Sequence, residues 1–210
     1  GDDDIGGDEG NDYLVGGAGN DTITGGIGND LISGGDDDDF LYGDAGNDTI
    51  DGGSGVDRLY GGEGDDDLRG GAGNDLLFAG TGQDTLSGGD GDDFLALGEI
   101  AYGGTGNDTI RDAQTAFGEA DDDIIENSVF AYGGDGNDII YGGANTLRME
   151  GGAGADRIYG SSIADLIYAG SGDDGVFGGG GNDTIYGDSG TNYLSGEAGD
   201  DTINGGSDTD

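Results

Sequence analysis

The sequence predicts an all-β chain wound as a parallel β-helix solenoid of about twelve coils. Three observations carry the prediction. A nine-residue unit recurs in register, clearest as Gly16-Gly17-Ala18-Gly19-Asn20-Asp21-Thr22-Ile23-Thr24 and Gly178-Gly179-Gly180-Gly181-Asn182-Asp183-Thr184-Ile185-Tyr186; one large aliphatic residue holds the eighth place of the unit; and no proline interrupts the chain. The unit reads G-G-x-G-x-D-x-U-x, with U aliphatic. Self-similarity at a fixed short period is the signature of stacked repeats rather than of an ordinary globular fold.

Copies start at 7, 16, 25, 34, 43, 52, 61, 70, 79 and 88 without a slip. Places seven to nine predict a three-residue strand whose alternation sends the aliphatic inward and its two neighbours outward. The inward set is Leu14, Ile23, Ile32, Leu41, Ile50, Leu59, Leu68, Leu77, Leu86, Leu95, Ile110, Ile125, Ile140, Met149, Ile158, Ile167, Val176, Ile185, Leu194 and Ile203. Places one to six predict the turn. Glycine at places one, two and four suits left-handed backbone, and Asn or Asp at place five tolerates it. A three-residue strand has no stability alone, so copies must stack about 4.8 Å apart, two copies to an eighteen-residue coil, giving a body about 55 Å long.

The register breaks in an ordered way. Six-residue segments Leu97–Tyr102, Asp112–Phe117 and Asn127–Tyr132 are inserted, making three shortened fifteen-residue coils over 97–132, and each ends in Ala followed by an aromatic residue. With Ala inward, the coil narrows there. Alternate copies then sort onto two edges. One edge takes the copies at 16, 34, 52, 70, 88, 103, 118, 133, 151, 169, 187 and 205; the other takes 7, 25, 43, 61 and 79, the three short segments, two degenerate copies at 142 and 160, and those at 178 and 196. All severe degeneracy falls on the second edge. Residues 1–210 read as one repeat domain cut inside a repeat at both ends, which predicts a piece of a longer protein.

Composition narrows the chemistry. The formal net charge is −42 on 210 residues, with no His and no Cys, so zinc, haem, iron–sulfur and thiol chemistry, disulfides and a Ser-His-Asp triad are unavailable to these residues. No enzyme is expected here. Acidity of this density repels nucleic acid and anionic lipid, and no apolar run approaches the roughly 20 residues of a membrane-spanning helix. Unpatterned charge would mean a disordered tail. The aliphatic at every ninth position argues otherwise once the charge is neutralised, and leaves disorder as the expectation for the chain without cations.

Place six supplies the candidate ligands: Asp12, Asp21, Asp30, Asp39, Asp48, Asp57, Asp66, Asp75, Asp84, Asp93, Asp108, Asp123, Asp138, Asp156, Asp174, Asp183 and Asp201. Asp165 holds the same place on the degenerate edge. Calcium takes 6 to 8 oxygen ligands and accepts carboxylates together with backbone carbonyls, whereas magnesium demands compact octahedral geometry and keeps its waters. Two stacked turns on one edge would offer a carboxylate each plus carbonyls. On this reading about sixteen Ca²⁺ ions lie between same-edge turns.

These residues resemble the repeats-in-toxin, or haemolysin-type calcium-binding, family, and the resemblance covers essentially the whole chain. It implies a right-handed parallel β-roll with calcium between successive turns, export in the unfolded state by a type I secretion system, and folding on extracellular calcium, hence a secreted or cell-surface location. Some positions depart from the pattern: Leu147 and Asn192 replace the place-six Asp, Ile163 replaces the place-four Gly, and Asp37 and Asp121 stand where Gly is usual. Ions are therefore expected to be missing on the degenerate edge around 97–168 and weakened beside Asn192.

The outward places of one face carry Phe40, Tyr42, Tyr60, Phe78, Phe94, Tyr141, Tyr159, Phe177 and Tyr193, while the other reads more polar, with Ser33, Thr49, Asp51, Asp67 and Thr85 among its residues. Such an asymmetry predicts a docking face for a flanking domain or a second copy, although sheets favour aromatics in any case. Two function classes stay open at this point. One is a calcium-rigidified module of an adhesin, surface-layer or matrix protein; the other is the calcium-dependent tail of a secreted enzyme or toxin whose chemistry lies elsewhere.

Overall fold

A computed structural model of the chain describes residues 1–207. Among the described residues every regular element is a β-strand, and the chain divides into two compact units, Gly1–Asp108 and Thr109–Asp210. The first unit contains β1 (Asp4–Glu9), β2 (Tyr13–Ala18), β3 (Thr22–Ile27), β4 (Leu31–Asp36), β5 (Phe40–Ala45), β6 (Thr49–Ser54), β7 (Arg58–Glu63), β8 (Asp67–Ala72), β9 (Leu76–Thr81), β10 (Thr85–Asp90), β11 (Phe94–Ala96) and β12 (Ile100–Thr105). The second contains β13 (Thr109–Arg111), β14 (Thr115–Ala120), β15 (Ile124–Glu126), β16 (Phe130–Asp135), β17 (Ile139–Tyr141), β18 (Arg148–Ala153), β19 (Arg157–Tyr159), β20 (Leu166–Ser171), β21 (Gly175–Phe177), β22 (Thr184–Tyr186), β23 (Tyr193–Ser195) and β24 (Thr202–Asn204).

Within each unit odd-numbered strands pair only with odd and even with even, in parallel, so the chain changes sheet at every copy. Ile5 pairs with Ile23 and Ile23 with Leu41, a full eighteen-residue coil apart. Across the inserted segments the step shortens: Leu86 pairs with Ala101, and Ala116 with Ala131. The sorting of copies onto two edges is thus realised in each unit.

The core is the predicted column. Ile23, Leu41, Leu59, Leu77 and Leu95 face Ile32, Ile50, Leu68 and Leu86 in the first unit, all fully buried; Ile110, Ile125, Ile140, Ile158 and Val176 face Met149, Ile167 and Ile185 in the second. Ala101, Ala116 and Ala131 take the inward places of the shortened coils, at most 1% exposed. At the margins the prediction weakens. Leu14 and Leu194 are half-buried, and Ile203, whose strand β24 pairs only with β22 among the described residues, is 46% exposed.

Two expectations need correction. Most strands of the first unit span six residues, x-U-x-G-G-x, instead of three, because the ladder runs on through the Gly-Gly pair: Gly35 stays in register with Gly17 and Gly53. The turn proper is only places four to six. Positive φ then belongs to places two and four, including Asp37 at 77° and Asp121 at 78°, but not to place one. Glycine is favoured at place one by space. A Cβ on Gly34 would lie 2.7 Å from the Gly52 carbonyl oxygen and against the Asp39 carboxylate.

Candidate metal centre

Each strand delivers its copy's place-one residue to the interior and the following turn returns the place-six aspartate toward it. Asp21, Asp39, Asp57, Asp75, Asp93 and Asp108 stack along one edge of the first unit, and Asp30, Asp48, Asp66 and Asp84 along the other, each at most 3% exposed. In the second unit Asp123, Asp138, Asp156 and Asp174 stack along one edge; Asp165 and Asp183 stand on the other. Asp12 and Asp201 occupy the same place half-buried.

The two carboxylate oxygens have different fates. Along the regular stacks, Oδ1 of an aspartate accepts from the backbone N–H of the place-six residue one coil earlier, as in Asp21 to Asp39, Asp39 to Asp57 and Asp75 to Asp93 at 2.7 to 2.8 Å. The ladder repeats on the other edge from Asp30 to Asp48 and Asp48 to Asp66, both at 2.8 Å, and in the second unit from Asp138 to Asp156 and Asp165 to Asp183, both at 2.9 Å. Oδ2 in these stacks accepts no hydrogen bond. It is buried without a partner in Asp12, Asp21, Asp30, Asp39, Asp48, Asp57, Asp66, Asp75, Asp84, Asp93, Asp108, Asp123, Asp138, Asp156, Asp174 and Asp183. It shares its space with the place-one carbonyl of the next coil: a Cβ on Gly43 or Gly70 would touch the Asp48 or Asp75 carboxylate and lie 2.6 Å from the Gly61 or Gly88 carbonyl oxygen.

An ionised carboxylate oxygen facing a carbonyl oxygen in a buried space is costly unless a positive group lies between them. The titration behaviour reflects that cost. Burial pushes the carboxyls of Asp57, Asp93 and Asp156 up to about 7 and those of Asp66 and Asp138 up to about 6; the backbone hydrogen bond opposes the rise and neighbouring aspartates add to it. Asp39, Asp48, Asp75, Asp84, Asp174 and Asp183 move upward from the same leading cause.

Where the sequence departs from the pattern, another group fills the gap. Oδ1 of Asn192 accepts from the Asp174 N–H at 2.9 Å, and its Nδ2 donates to the Gly187 carbonyl at 2.7 Å. Asp165 turns Oδ2 toward the N–H and hydroxyl of Ser161 at 2.7 and 2.9 Å, leaving Oδ1 as its orphan. Along the shortened edge no place-six carboxylate exists. Small side chains, Ala113, Ser128 and Thr146, close it from inside, with the Thr146 hydroxyl donating to the Ser128 carbonyl at 2.8 Å.

Among the described residues no three His, Cys, Asp or Glu side chains converge on one point. A cation between these turns must therefore draw most of its ligands from the backbone, which favours a hard ion with high coordination number. The family model for the RTX calcium-binding nonapeptide repeat matches residues 1–32, 24–59, 33–68, 60–95, 129–146, 150–185 and 177–210. The chain belongs to the RTX calcium-binding nonapeptide repeat family. The matches to this RTX chain skip residues 96–128, which hold most of the shortened coils. A search of curated proteins gave no match. No helix of the RTX chain is long and apolar enough to cross a membrane among the described residues.

Sequence reading missed a second ladder. Side chains at place five accept from the N–H one coil later: Asn11 from Asn29, Asn29 from Asn47 and Asn47 from Asp65 at 3.0 to 3.1 Å, and Asp122 from Asn137 at 2.7 Å. Frequent Asn and Asp at place five was its only sequence signal. The supposed asymmetry of faces also needs correction. Tyr42, Tyr60 and Phe78 stack on the odd sheet at 5.0 and 5.3 Å, as do Tyr141, Tyr159 and Phe177. In the second unit, however, the even sheet carries its own column, in which Phe117 stacks on Tyr132 and Tyr168 on Tyr186. Arg148 bridges the two pairs, 5.6 Å from the Tyr132 ring and 4.9 Å from that of Tyr168, and is held by Glu150 at 2.7 Å. Parallel in-register strands bring like places together one strand apart, so either face acquires a stack wherever aromatics recur at place nine.

Proposed function

We propose that the chain is a calcium-rigidified structural module of a secreted or cell-surface protein of adhesin, surface-layer or matrix type, ordered by the calcium it meets outside the cell. The ions lie between successive same-edge turns. Their protein ligands are Oδ2 of Asp12, Asp21, Asp30, Asp39, Asp48, Asp57, Asp66, Asp75, Asp84, Asp93, Asp108, Asp123, Asp138, Asp156, Asp174 and Asp183, with place-one carbonyls; Asp201 offers a half-buried carboxylate at the same place. The observation that carries this reading is the row of buried, partnerless carboxylate oxygens crowded, with carbonyl oxygens of the next coil, around the place-one glycines. Calcium, when bound, supplies the positive charge that joins them. The chain's own residues position the acceptors: Oδ1 is locked to the coil before, so Oδ2 has one direction left.

The test is a calcium titration of chelator-treated protein followed by circular dichroism, with magnesium at matched concentration as comparison. We expect a cooperative gain of β signal with calcium and far less with magnesium. Superimposable spectra with and without excess chelator would remove the premise.

A further inference from the structure

Outward places seven and nine of the two units correspond strand by strand. In the first unit β7, β9 and β11 present Arg58, Leu76 and Phe94 at place seven, with Tyr60 and Phe78 at place nine; in the second β19, β21 and β23 present Arg157, Gly175 and Tyr193, with Tyr159 and Phe177. The sets agree in kind except at one position. Gly175 stands where the first unit has Leu76.

That glycine serves no backbone need. Its φ is not in the left-handed region, and a Cβ there would meet nothing nearer than the Asp156 carbonyl oxygen at 3.9 Å and the Phe177 ring at 4.0 Å. Its effect is a gap in the side-chain row. Arg157 and Tyr193 flank it two strand spacings apart, about 9.6 Å, so the vacancy between them is one ring thick. A cleft of about 340 Å³ opens there, lined by Arg157, Gly175, Tyr193, Thr191 and Asp173, with Asp156 and Asp174 behind. Tyr193 leans on Phe177 at 5.4 Å and is 63% exposed, which fixes its ring while leaving a face free. Arg157 makes no ion pair among the described residues, unlike Arg69, Arg111 and Arg148. Asp173 is anchored by the Thr191 N–H at 2.8 Å.

We propose that this cleft is a binding site for a neutral saccharide, whose pyranose ring enters the slot over Gly175 between the Tyr193 ring and the Arg157 guanidinium. The lining selects that class. A sugar ring offers an apolar C–H face to tyrosine and hydroxyls that both donate and accept, matching guanidinium N–H donors, the Thr191 hydroxyl and the Asp173 carboxylate. An anion is opposed by Asp173 and by the net charge of −42, and a small metal cation would leave the Tyr193 ring face and the Arg157 donors without partners. An aromatic side chain of another protein would fit the slot but leave the polar groups without partners.

The test is a titration of the calcium-saturated chain with methyl glycosides of glucose, galactose and mannose, read by amide chemical shifts. At least one glycoside should shift Gly175, Thr191 and Tyr193 with a dissociation constant of about 1–10 mM. Gly175→Leu, which installs the first unit's residue, should weaken binding at least about tenfold with the calcium-loaded dichroism spectrum retained. If Gly175→Leu fails to give that spectrum, Tyr193→Ala on the exposed rim takes its place with the same expected loss. The proposal is overturned if none of the three glycosides shifts these amides at about 100 mM, or if the slot-filling variant binds unchanged. It is equally overturned if N-acetyltryptophanamide binds in a Gly175→Leu-sensitive way while the glycosides do not, which would assign the slot to a protein partner.

Discussion

Asn192 shows what an aspartate turn lacks without metal. Its amide closes on the Gly187 carbonyl of its own copy, whereas Oδ2 of Asp156 and of Asp174 on the same edge has no hydrogen-bond partner. Transferring that arrangement gives a direct prediction: Asp156→Asn should fold in saturating calcium but bind fewer ions, measured by metal content after gel filtration, and should shift the calcium midpoint upward by an amount equivalent to about 1–2 kcal/mol. An unchanged ion content would detach Asp156 from the sites. The aspartates were legible in the sequence because one residue type recurs at one place of a rigid period. The reason for glycine at place one was not, since absence of a side chain serves either a left-handed backbone or a crowded one, and only the packed Asp39 carboxylate beside Gly34 distinguishes them.

At the level of strands and turns, each copy contributes a single large aliphatic side chain. Burying one stabilises by about 1.5–3 kcal/mol, less than the backbone entropy lost on ordering three residues at about 1–2 kcal/mol each. Truncating one should therefore be felt strongly: Leu77→Ala, at a fully buried position, should cost about 2–5 kcal/mol in a thermal or denaturant melt at fixed calcium. The outer stacks are worth less. Tyr60→Ser, which interrupts the Tyr42–Tyr60–Phe78 stack, should cost about 1 kcal/mol. If the stack also serves assembly, the triple Ser variant of Tyr60, Phe78 and Tyr141 should change the sedimentation behaviour. The two-edge sorting and the inward alanines of the short coils were readable from spacing alone. The replacement of carboxylates by Ala113, Ser128 and Thr146 was not, because it depends on which connector residue points inward after the register breaks.

For the whole chain the governing quantity is charge. With a net charge of −42 and carboxyls raised by burial, protons and calcium compete for the same oxygens. A carboxyl raised above its usual 3.8 binds its proton more tightly folded than unfolded, so protonation stabilises the fold; the contribution is complete below 3.8 and is lost as pH rises through the folded values of about 6 to 7. In chelator, β structure should therefore increase on acidification from pH 8 to pH 5, while the calcium concentration needed for folding should rise over the same interval. Flat dichroism across that range would count against buried, partnerless carboxylates. Anomalous scattering from crystals grown in calcium should locate about sixteen ions, with few on the edge formed by the short segments. An equal share on both edges through 97–168 would refute the register. The overall winding was legible because period, core and ligand share one nonapeptide; the columns of outward rings were only half legible, since stacking depends on the partner one coil away.

The two side-chain ladders point in opposite senses, place six toward the preceding coil and place five toward the following one. Both rims of a finished turn consequently offer unspent donors and acceptors to whatever arrives next. A chain threading out of a pore with either terminus leading would meet a ready template, and winding could advance from head or tail like a zip with a slider at each end.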